Sequence, residues 1–313
     1  MTSTLIIVNP ASANGATAQR WPALAAQLRA CWPGPIETVM STAPGHAIQL
    51  ASTSAGRAAL ICVGGDGTVN EVINGLMHIN ATQRPPLALV QSGTGGDFAR
   101  ALGLPKTADA AVASLASAQP RRIDVGEIAY MKGRELRTRY FINVAGLGFD
   151  AEVSHEIARA GERGHKGKAV YFLSVFKSLS RLRNHPLRIT LMPQTNGDEP
   201  QTIECRSSMV AVCNGGFFGG GMHIAPHADP SDGAFDIVLL DSMSQLEFLL
   251  NFPRVYRGTH LTHPKVRIAR ASALRIEQMS VDGEPVRLQA EGELLGTAPV
   301  SFRLISGAIE VLV

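Results

Sequence analysis

Residues 60–71, Leu-Ile-Cys-Val-Gly-Gly-Asp-Gly-Thr-Val-Asn-Glu, constrain the fold most, because a wholly apolar run passes through a glycine-rich turn into a helix start. The apolar run reads as a buried strand, and Val69, Val72, Ile73 and Leu76 then recur at helical spacing. Gly64, Gly65 and Gly67 permit positive φ and let the backbone approach a ligand closely. Main-chain amides then face an anion, and a helix beginning near Thr68 adds the positive end of its dipole. This is the form of a phosphate-binding turn, and also of an ordinary tight βα connection. Asp66 repels a bare phosphate, so it either holds Mg²⁺ through water or fixes the turn by accepting backbone amides. Neither GxGxxG nor the Walker spacing ending in Gly-Lys-Ser/Thr occurs here, so neither a Rossmann dinucleotide site nor a P-loop is supported.

Strand and helix signals alternate through the first third: strands over 5–8, 36–40, 59–63 and 87–91, helices over 20–31, 46–54, after Thr68 and over 107–118. That rhythm predicts a parallel sheet covered by helices, with ligands at the carboxyl ends of its strands. Three loops rich in glycine or small polar residues, at 9–10, 64–68 and 92–97, converge on that edge. From Arg122 onward strand signals dominate, at 123–128, 139–144, 187–192, 208–213 and 235–240, with one helical interruption near 151–181. A second domain built as a β-sandwich or barrel is expected. The final strands, 300–305 and 308–313, carry no partner signal of their own.

With 313 residues and 45% hydrophobic content the chain holds two modest domains or one large one. A formal charge of +3 is too weak to argue for nucleic acid and compatible with an anionic lipid or nucleotide. Cys31, Cys62, Cys205 and Cys213 are scattered without a CxxC pair and read as free thiols in a reducing cytoplasm. No apolar run reaches the roughly 18 residues of a spanning helix, so a soluble protein is expected.

The glycine turn resembles the Gly-Gly-Asp-Gly-Thr motif shared by diacylglycerol kinases, sphingosine kinases, NAD kinases and phosphofructokinases. Its continuation over 69–76 is similar to the diacylglycerol kinase branch. Other segments follow in that family's order. Residues 92–100 resemble its Gly-Thr-x-Asn-Asp-Phe-Ala-Arg segment, with Gly96 in place of asparagine, and residues 9–15 its Asn-Pro-x-Ser-Gly turn. Matching on Gly45 puts Ser41 where relatives carry a nucleotide-contacting threonine. The chain is identified as resembling the bacterial soluble diacylglycerol kinase catalytic-domain family, the YegS/DgkB-like lipid kinases, over nearly its whole length.

That resemblance implies an NAD kinase/diacylglycerol kinase-like fold: an α/β nucleotide-binding domain of 1–122 plus 299–313, and a mainly-β, sandwich-like substrate domain of 123–298. It implies ATP contacts from Asn9, Ser41, Gly65, Asp66, Gly67, Thr68, Val69, Asn70, Glu71 and Thr94. Asp97 joins an acidic or water network, or else caps a helix starting at Phe98. Residues 225–236 resemble the family block in which Asp232 binds a structural Mg²⁺, assisted by backbone carbonyls at Asp229 and Ala234. A plain Asp-Gly turn is the alternative there.

Phosphoryl transfer to an alcohol needs a base for the hydroxyl proton. Asp282-Gly283-Glu284 reproduces the family's acidic tripeptide literally, yet Glu291-Gly292-Glu293 stands in register with the closing strands as relatives have it. The expected pair is therefore Glu291 and Glu293, with Glu293 activating the hydroxyl and 282–284 a lookalike hairpin. Residues 123–126 and 141–150 resemble further family segments, lining the cleft or serving as buried structural polar groups. Between 159 and 188 basic residues interleave with Tyr171, Phe172, Val175, Phe176 and Leu179 at helical spacing, which suits a helix packed on the second domain or one lying on an anionic membrane.

The expectation is a cytoplasmic, Mg²⁺-dependent kinase that moves the γ-phosphate of ATP to a lipid hydroxyl. Its partners are a lipid substrate and transient membrane surface, with no nucleic acid and a homodimeric copy left open. The alternatives are an NAD kinase-like enzyme, or a nucleotide- or lipid-binding protein with impaired catalysis.

Overall fold

The computed structural model describes residues 3–93, 95–162, 168–192, 199–280 and 284–313. Strands β1 (Thr4–Val8), β2 (Ile36–Met40), β3 (Leu60–Gly64) and β4 (Leu87–Gln91) pair in the parallel order β2-β1-β3-β4. Helices α1 (Ala16–Cys31), α2 (His46–Ser52) and α3 (Asp66–Met77) connect them, and α4 (Asp97–Ala101) and α5 (Ala108–Ser114) follow β4. Leu5, Ile7, Leu60 and Cys62 face one core with Val72 and Ile73 of α3, whereas Ile6, Val8, Ile61 and Val63 face another with Leu24 and Leu28 of α1. Burial on both faces is why these strands carry continuous apolar runs.

The chain continues through β5 (Pro120–Lys132), β6 (Glu135–Phe141), β7 (Val144–Gly148), α6 (Phe149–Glu162), α7 (Lys168–Leu179), β8 (His185–Met192) and β9 (Gln201–Cys213). A short hairpin, β10 (Phe217–Phe218) with β11 (Met222–His223), precedes β12 (Phe235–Asp241), α8 (Gln245–Asn251), β13 (Val266–Ala271) and β14 (Ala273–Gln278). The last strands are β15 (Arg287–Ala290), β16 (Glu293–Thr297) and β17 (Val300–Leu312). These strands pair antiparallel along β16-β15-β7-β9-β8-β14-β17, and β12 and β5 branch from β9 and β17. In β9 the alternation is clean: Val210 and Val212 face Leu187 and Ile237 in the inner core, while Met209, Ala211 and Cys213 face Phe149, Val175 and Phe248 of the covering helices. Phe141 stacks on Phe235 at 5.6 Å and meets Phe302 edge-on at 6.2 Å, filling the inner core with aromatic surface.

Several elements differ from the sequence reading. The closing strands are one 13-residue strand, β17, with an irregularity between Ile305 and Ile309. It lies antiparallel along β5 and meets β4 through the parallel pair Val311 with Leu87, which joins the two sheets. Asp124, 1% exposed, holds the irregularity: it accepts from the amides of Gly307 (2.7 Å) and Gly233 (2.8 Å) and from the Ser306 hydroxyl (3.2 Å). It is therefore a buried structural group. The strand expected over 139–144 is broken between Phe141 and Val144, because the amides of Ile142 and Asn143 turn aside to bond a carboxylate. Strands β13 to β16 and α8 were not foreseen. β13 interleaves charged with apolar residues and is only partly buried, so its apolar signal is weak. α8 announces itself by a capping box, Ser244 with Glu247, that the sequence reading passed over.

Candidate active site

The glycine turn is tighter than expected. α3 begins at Asp66 rather than near Thr68, and Gly64, Gly65 and Gly67 all keep negative or extended φ. Their role is close approach. A Cβ on Gly64 would lie 2.6 Å from Thr68, and one on Gly93 would lie 2.7 Å from the Gly65 Cα, so the loops after β3 and β4 meet backbone to backbone. A Cβ on Gly67, by contrast, would meet no atom within 4 Å. Open space above the first turn of α3 is where an anion reaches the helix N-terminus.

Asp66 fixes the neighbouring loop, since its Oδ2 accepts the Gly96 amide at 2.8 Å, while its buried Oδ1 has no partner among the described residues. Burial raises its pKa and the nearby Asp97 charge adds to that, against the lowering effect of the backbone amides. Asn9 Nδ2 donates to Thr68 Oγ1 at 2.8 Å, which brings the loop after β1 to the same edge. Ser41 is buried at the end of β2, its amide donating to Val8 at 2.8 Å. Glu71 accepts from the amides of Gly45 (2.8 Å) and Ala47 (3.2 Å) and so caps α2. Val69 packs in the core, and the Asn70 amide group donates to the Tyr140 carbonyl at 3.2 Å. These three side chains thus support the turn from behind. Thr94 and the tripeptide position Asp282 lie outside the described residues.

Asp97 does not cap α4, because Gly96 occupies the cap position and Asp97 is the first helical residue. Its carboxylate instead accepts from Arg100 Nη1 (2.5 Å) and from the amide of Gly220 (2.7 Å), linking the β4 loop to the glycine-rich hairpin beyond β9.

On the other side Glu291 adopts φ 52, a left-handed conformation uncommon for a non-glycine residue. Its Oε1 accepts the amides of Ile142 (2.9 Å) and Asn143 (2.7 Å), and its Oε2 accepts Asn143 Nδ2 (3.2 Å). Although the residue as a whole is only partly buried, its carboxylate is so poorly hydrated that its pKa is pushed up to about 7; desolvation dominates, the three hydrogen bonds oppose it and Asp66 adds a like charge. Gln289 supports the turn by accepting the Gly292 amide at 2.9 Å while donating to Asp150 Oδ2 at 2.8 Å. Asp150, also buried, is pushed up to about 6 by desolvation. Gln289 was missed from the sequence. Its signal was a polar side chain between Leu288 and Ala290 of β15, where it is 3% exposed.

Glu293 sits elsewhere. Its side chain is 54% exposed and bonds Arg139 Nη2 at 2.8 Å, a nitrogen that also donates to Asn70 Oδ1 at 3.1 Å. Of the pair, Glu291 lines the cavity, whereas Glu293 bonds Arg139.

At the expected cation position the acidic side chains are already paired. Asp232 is paired with Arg270, and Asp229 accepts from Arg121 at 2.8 Å and from its own Ser231 turn. Ala234 contributes its amide to Asp232 Oδ1 at 3.1 Å. Each carboxylate is already neutralised by an arginine, and among the described residues no three His, Cys, Asp or Glu side chains are grouped to hold an ion.

A cavity of about 730 Å³ connects the two sides. Asp66, Asp97, Asn143, Asp150, Gln289 and Glu291 contribute polar lining, and Phe149, Val153, Val175, Met209, Val238 and Phe248 belong to its apolar lining. A large apolar pocket with a few convergent carboxylates and raised pKa values has the form of a site for a mostly hydrocarbon substrate that reacts at one polar end.

Known proteins share both halves. The diacylglycerol kinase catalytic domain matches residues 3–128, and the YegS C-terminal NAD kinase beta sandwich-like domain matches residues 143–313. A diacylglycerol kinase of Mycobacterium tuberculosis is 29% identical over 308 residues, 98% of this chain and 93% of its own. One from Bacillus subtilis is 30% identical over 248 residues, 78% of this chain and 73% of its own. A crystal structure of a candidate diacylglycerol kinase from Bacillus anthracis superposes with a TM-score of 0.80 at 26% identity, covering 99% of this chain and 95% of that one. Yeast NADH kinase, solved with NADH, shares the fold alone, at a TM-score of 0.51 and 13% identity over 99% of this chain and 82% of that one. Among the described residues no helix is long and apolar enough to cross a membrane. With the α/β catalytic half and the sandwich-like half both matched, the chain belongs to the diacylglycerol kinase family, a family of lipid kinases.

Proposed function

We propose that the protein transfers the γ-phosphate of ATP to the hydroxyl of a diacylglycerol-like or phosphatidylglycerol-like lipid in the cytoplasm, with Glu291 as the proton acceptor. The observation that carries this reading is the shared cavity, in which Glu291 and Asp66 stand close enough for one charge to raise the pKa of the other. The nucleotide side is assigned to 1–122 plus 299–313 and the acceptor side to 123–298.

ATP phosphates would lie over Gly65, Gly67 and Thr68, with Asn9, Ser41 and Thr94 around them; the open space at Gly67 supports this. Mg²⁺ accompanying the nucleotide suits the unpartnered Oδ1 of Asp66, and there it would spread charge on the transferring group. Glu291 takes the hydroxyl proton as the acceptor oxygen bonds the γ-phosphorus, and the bond to the bridging oxygen breaks to release ADP. A carboxylate held near 7 is well matched to that transfer at neutral pH. Gln289 and Asn143 keep it oriented, and Glu293 acts through Arg139 as a positioning residue.

ATP turnover with diacylglycerol, phosphatidylglycerol and sphingosine tests the reading. Phosphorylated product from one of the glycerolipids is expected, and no phosphorylated product from any lipid would overturn it.

A further inference from the structure

We propose that Asn143 Oδ1 accepts a hydrogen bond from a second hydroxyl of the substrate, so that the site selects a lipid whose reacting hydroxyl has another on the adjacent carbon; this rests on the lipid-kinase reading above. The wall of the cavity is one-sided in its hydrogen bonding. Among the described residues, the buried side-chain atoms without a partner that belong to cavity-lining residues are Asp66 Oδ1, Asn143 Oδ1 and His260 Nδ1. All three accept. His260 Nε2 bonds the Ile224 carbonyl at 2.9 Å and so carries the ring proton, while burial favours the neutral ring, which leaves Nδ1 a lone pair. A buried polar atom is costly unless paired, and a wall whose unpaired atoms all accept is complementary to a ligand that donates.

Asn143 Oδ1 is the acceptor held beside Glu291. Asn143 Nδ2 donates to Glu291 Oε2 at 3.2 Å, and this bond fixes which end of the amide is which: the NH₂ meets the carboxylate and the oxygen is turned from it. The two ends of one amide group lie about 2.3 Å apart, so Oδ1 stands no more than about 5.5 Å from that carboxylate oxygen. The residue is also anchored. Its carbonyl accepts the amides of Asn214 (2.8 Å) and Gly215 (3.0 Å), its own amide donates to Glu291 (2.7 Å), and it is 3% exposed.

This spacing separates two classes of acceptor. A diacylglycerol has one hydroxyl, which goes to Glu291, and the oxygen on its next carbon is an ester oxygen with no proton to give. A monoacylglycerol, or the glycerol headgroup of a phosphatidylglycerol, carries hydroxyls on adjacent carbons. The terminal one reaches Glu291 while its neighbour donates to Asn143 Oδ1, with one hydrogen bond at each end of the diol. An ester in that place sets one acceptor against another and leaves Oδ1 unpaired, which disfavours the substrate.

Kinetics on matched short-chain lipids tests the contact. One pair is terminally acylated monooctanoylglycerol and the monooctanoyl ester of trimethylene glycol; the other is dioctanoyl phosphatidylglycerol and the same lipid with a trimethylene glycol headgroup. Each pair differs by the second hydroxyl alone. Wild-type protein is expected to favour the diol by about 10- to 100-fold in kcat/KM in at least one pair, and the pair that shows it identifies the source of the diol. Asn143→Ala should bring that ratio to near one, whereas a residue that only orients Glu291 would slow both members alike and leave the ratio intact. Gly215→Ala approaches the same atom from outside the Glu291 contacts, because its Cβ would lie 3.0 Å from Asn143 Oδ1, and it should lower the ratio as well. Equal kcat/KM within both pairs in the wild type, or a ratio that survives Asn143→Ala, overturns the proposal. If no lipid is phosphorylated the kinase reading fails instead, and calorimetric binding of the same pairs still decides the contact: tighter binding of a diol upholds it and equal binding removes it.

Discussion

The Asn143 amide donates to Oε1 of Glu291 over 2.7 Å, and this contact joins the break between β6 and β7 to the acidic turn before β16. It ties two segments 148 residues apart in sequence. Together with the Ile142 amide and the Asn143 side chain it leaves the carboxylate one principal direction to act in, toward the cavity.

Glu291→Gln should therefore remove the proton acceptor while keeping the volume, lowering kcat by about 10² to 10⁴-fold. Glu293→Gln leaves an exposed ion pair broken and should cost less than about tenfold, since such pairs contribute little. Steady-state kinetics on both variants decides the roles; a larger loss at Glu293 would reverse them.

The pH profile carries its own signature. Glu291 must be ionised to accept a proton, so kcat/KM should rise with pH through about 7 and the limb should vanish in Glu291→Gln. Stability runs the other way. Glu291 is raised from 4.5 to about 7, so between those values the folded protein binds more protons than the unfolded chain and stability falls as pH rises. Asp150, raised from 3.8 to about 6, acts in the same direction over its own window. Denaturant titrations at pH 5 and 7.5 should show Glu291→Gln recovering at most about 3 kcal/mol at the higher pH.

Gly95 and Gly67 should separate packing from ligand access. A Cβ on Gly95 would lie 2.2 Å from Asp66 Oδ2, so Gly95→Ala displaces the carboxylate and should destabilise by about 1–3 kcal/mol while raising KM for ATP. Gly67 stands in the first turn of α3 with negative φ and free space, so Gly67→Ala should stabilise the fold by about 0.5–1 kcal/mol. Its KM for ATP should nonetheless rise, because the methyl occupies the nucleotide's space. Thermal melts paired with ATP kinetics check both; an unchanged KM in Gly67→Ala would argue against phosphates over that turn.

Gln289→Leu removes both the bond to Gly292 and the partner of buried Asp150. A purely structural role predicts lower stability with an unchanged pH limb. A positioning role predicts a shifted limb and a drop in kcat of about tenfold with little change in KM for ATP. The pH profile of this variant distinguishes them.

Local order along the chain was sufficient for the parallel sheet, because strands buried on both faces must be apolar throughout and a glycine-rich turn into a helix has few alternatives. The glycine-rich turn also marked Asp66, whereas the acidic turn at 291–293 was picked out by the family resemblance. Tertiary contacts alone decided which carboxylate faces the cavity. Glu291 and Glu293 are two residues apart and chemically alike, and only the amides of Ile142 and Asn143 on one side and Arg139 on the other distinguish them. The pairing of Asp232 was hidden for the same reason, since Arg270 approaches from a separate strand. An ionisable group's role is set by the dielectric and the partners that distant segments bring to it, and no local pattern encodes those.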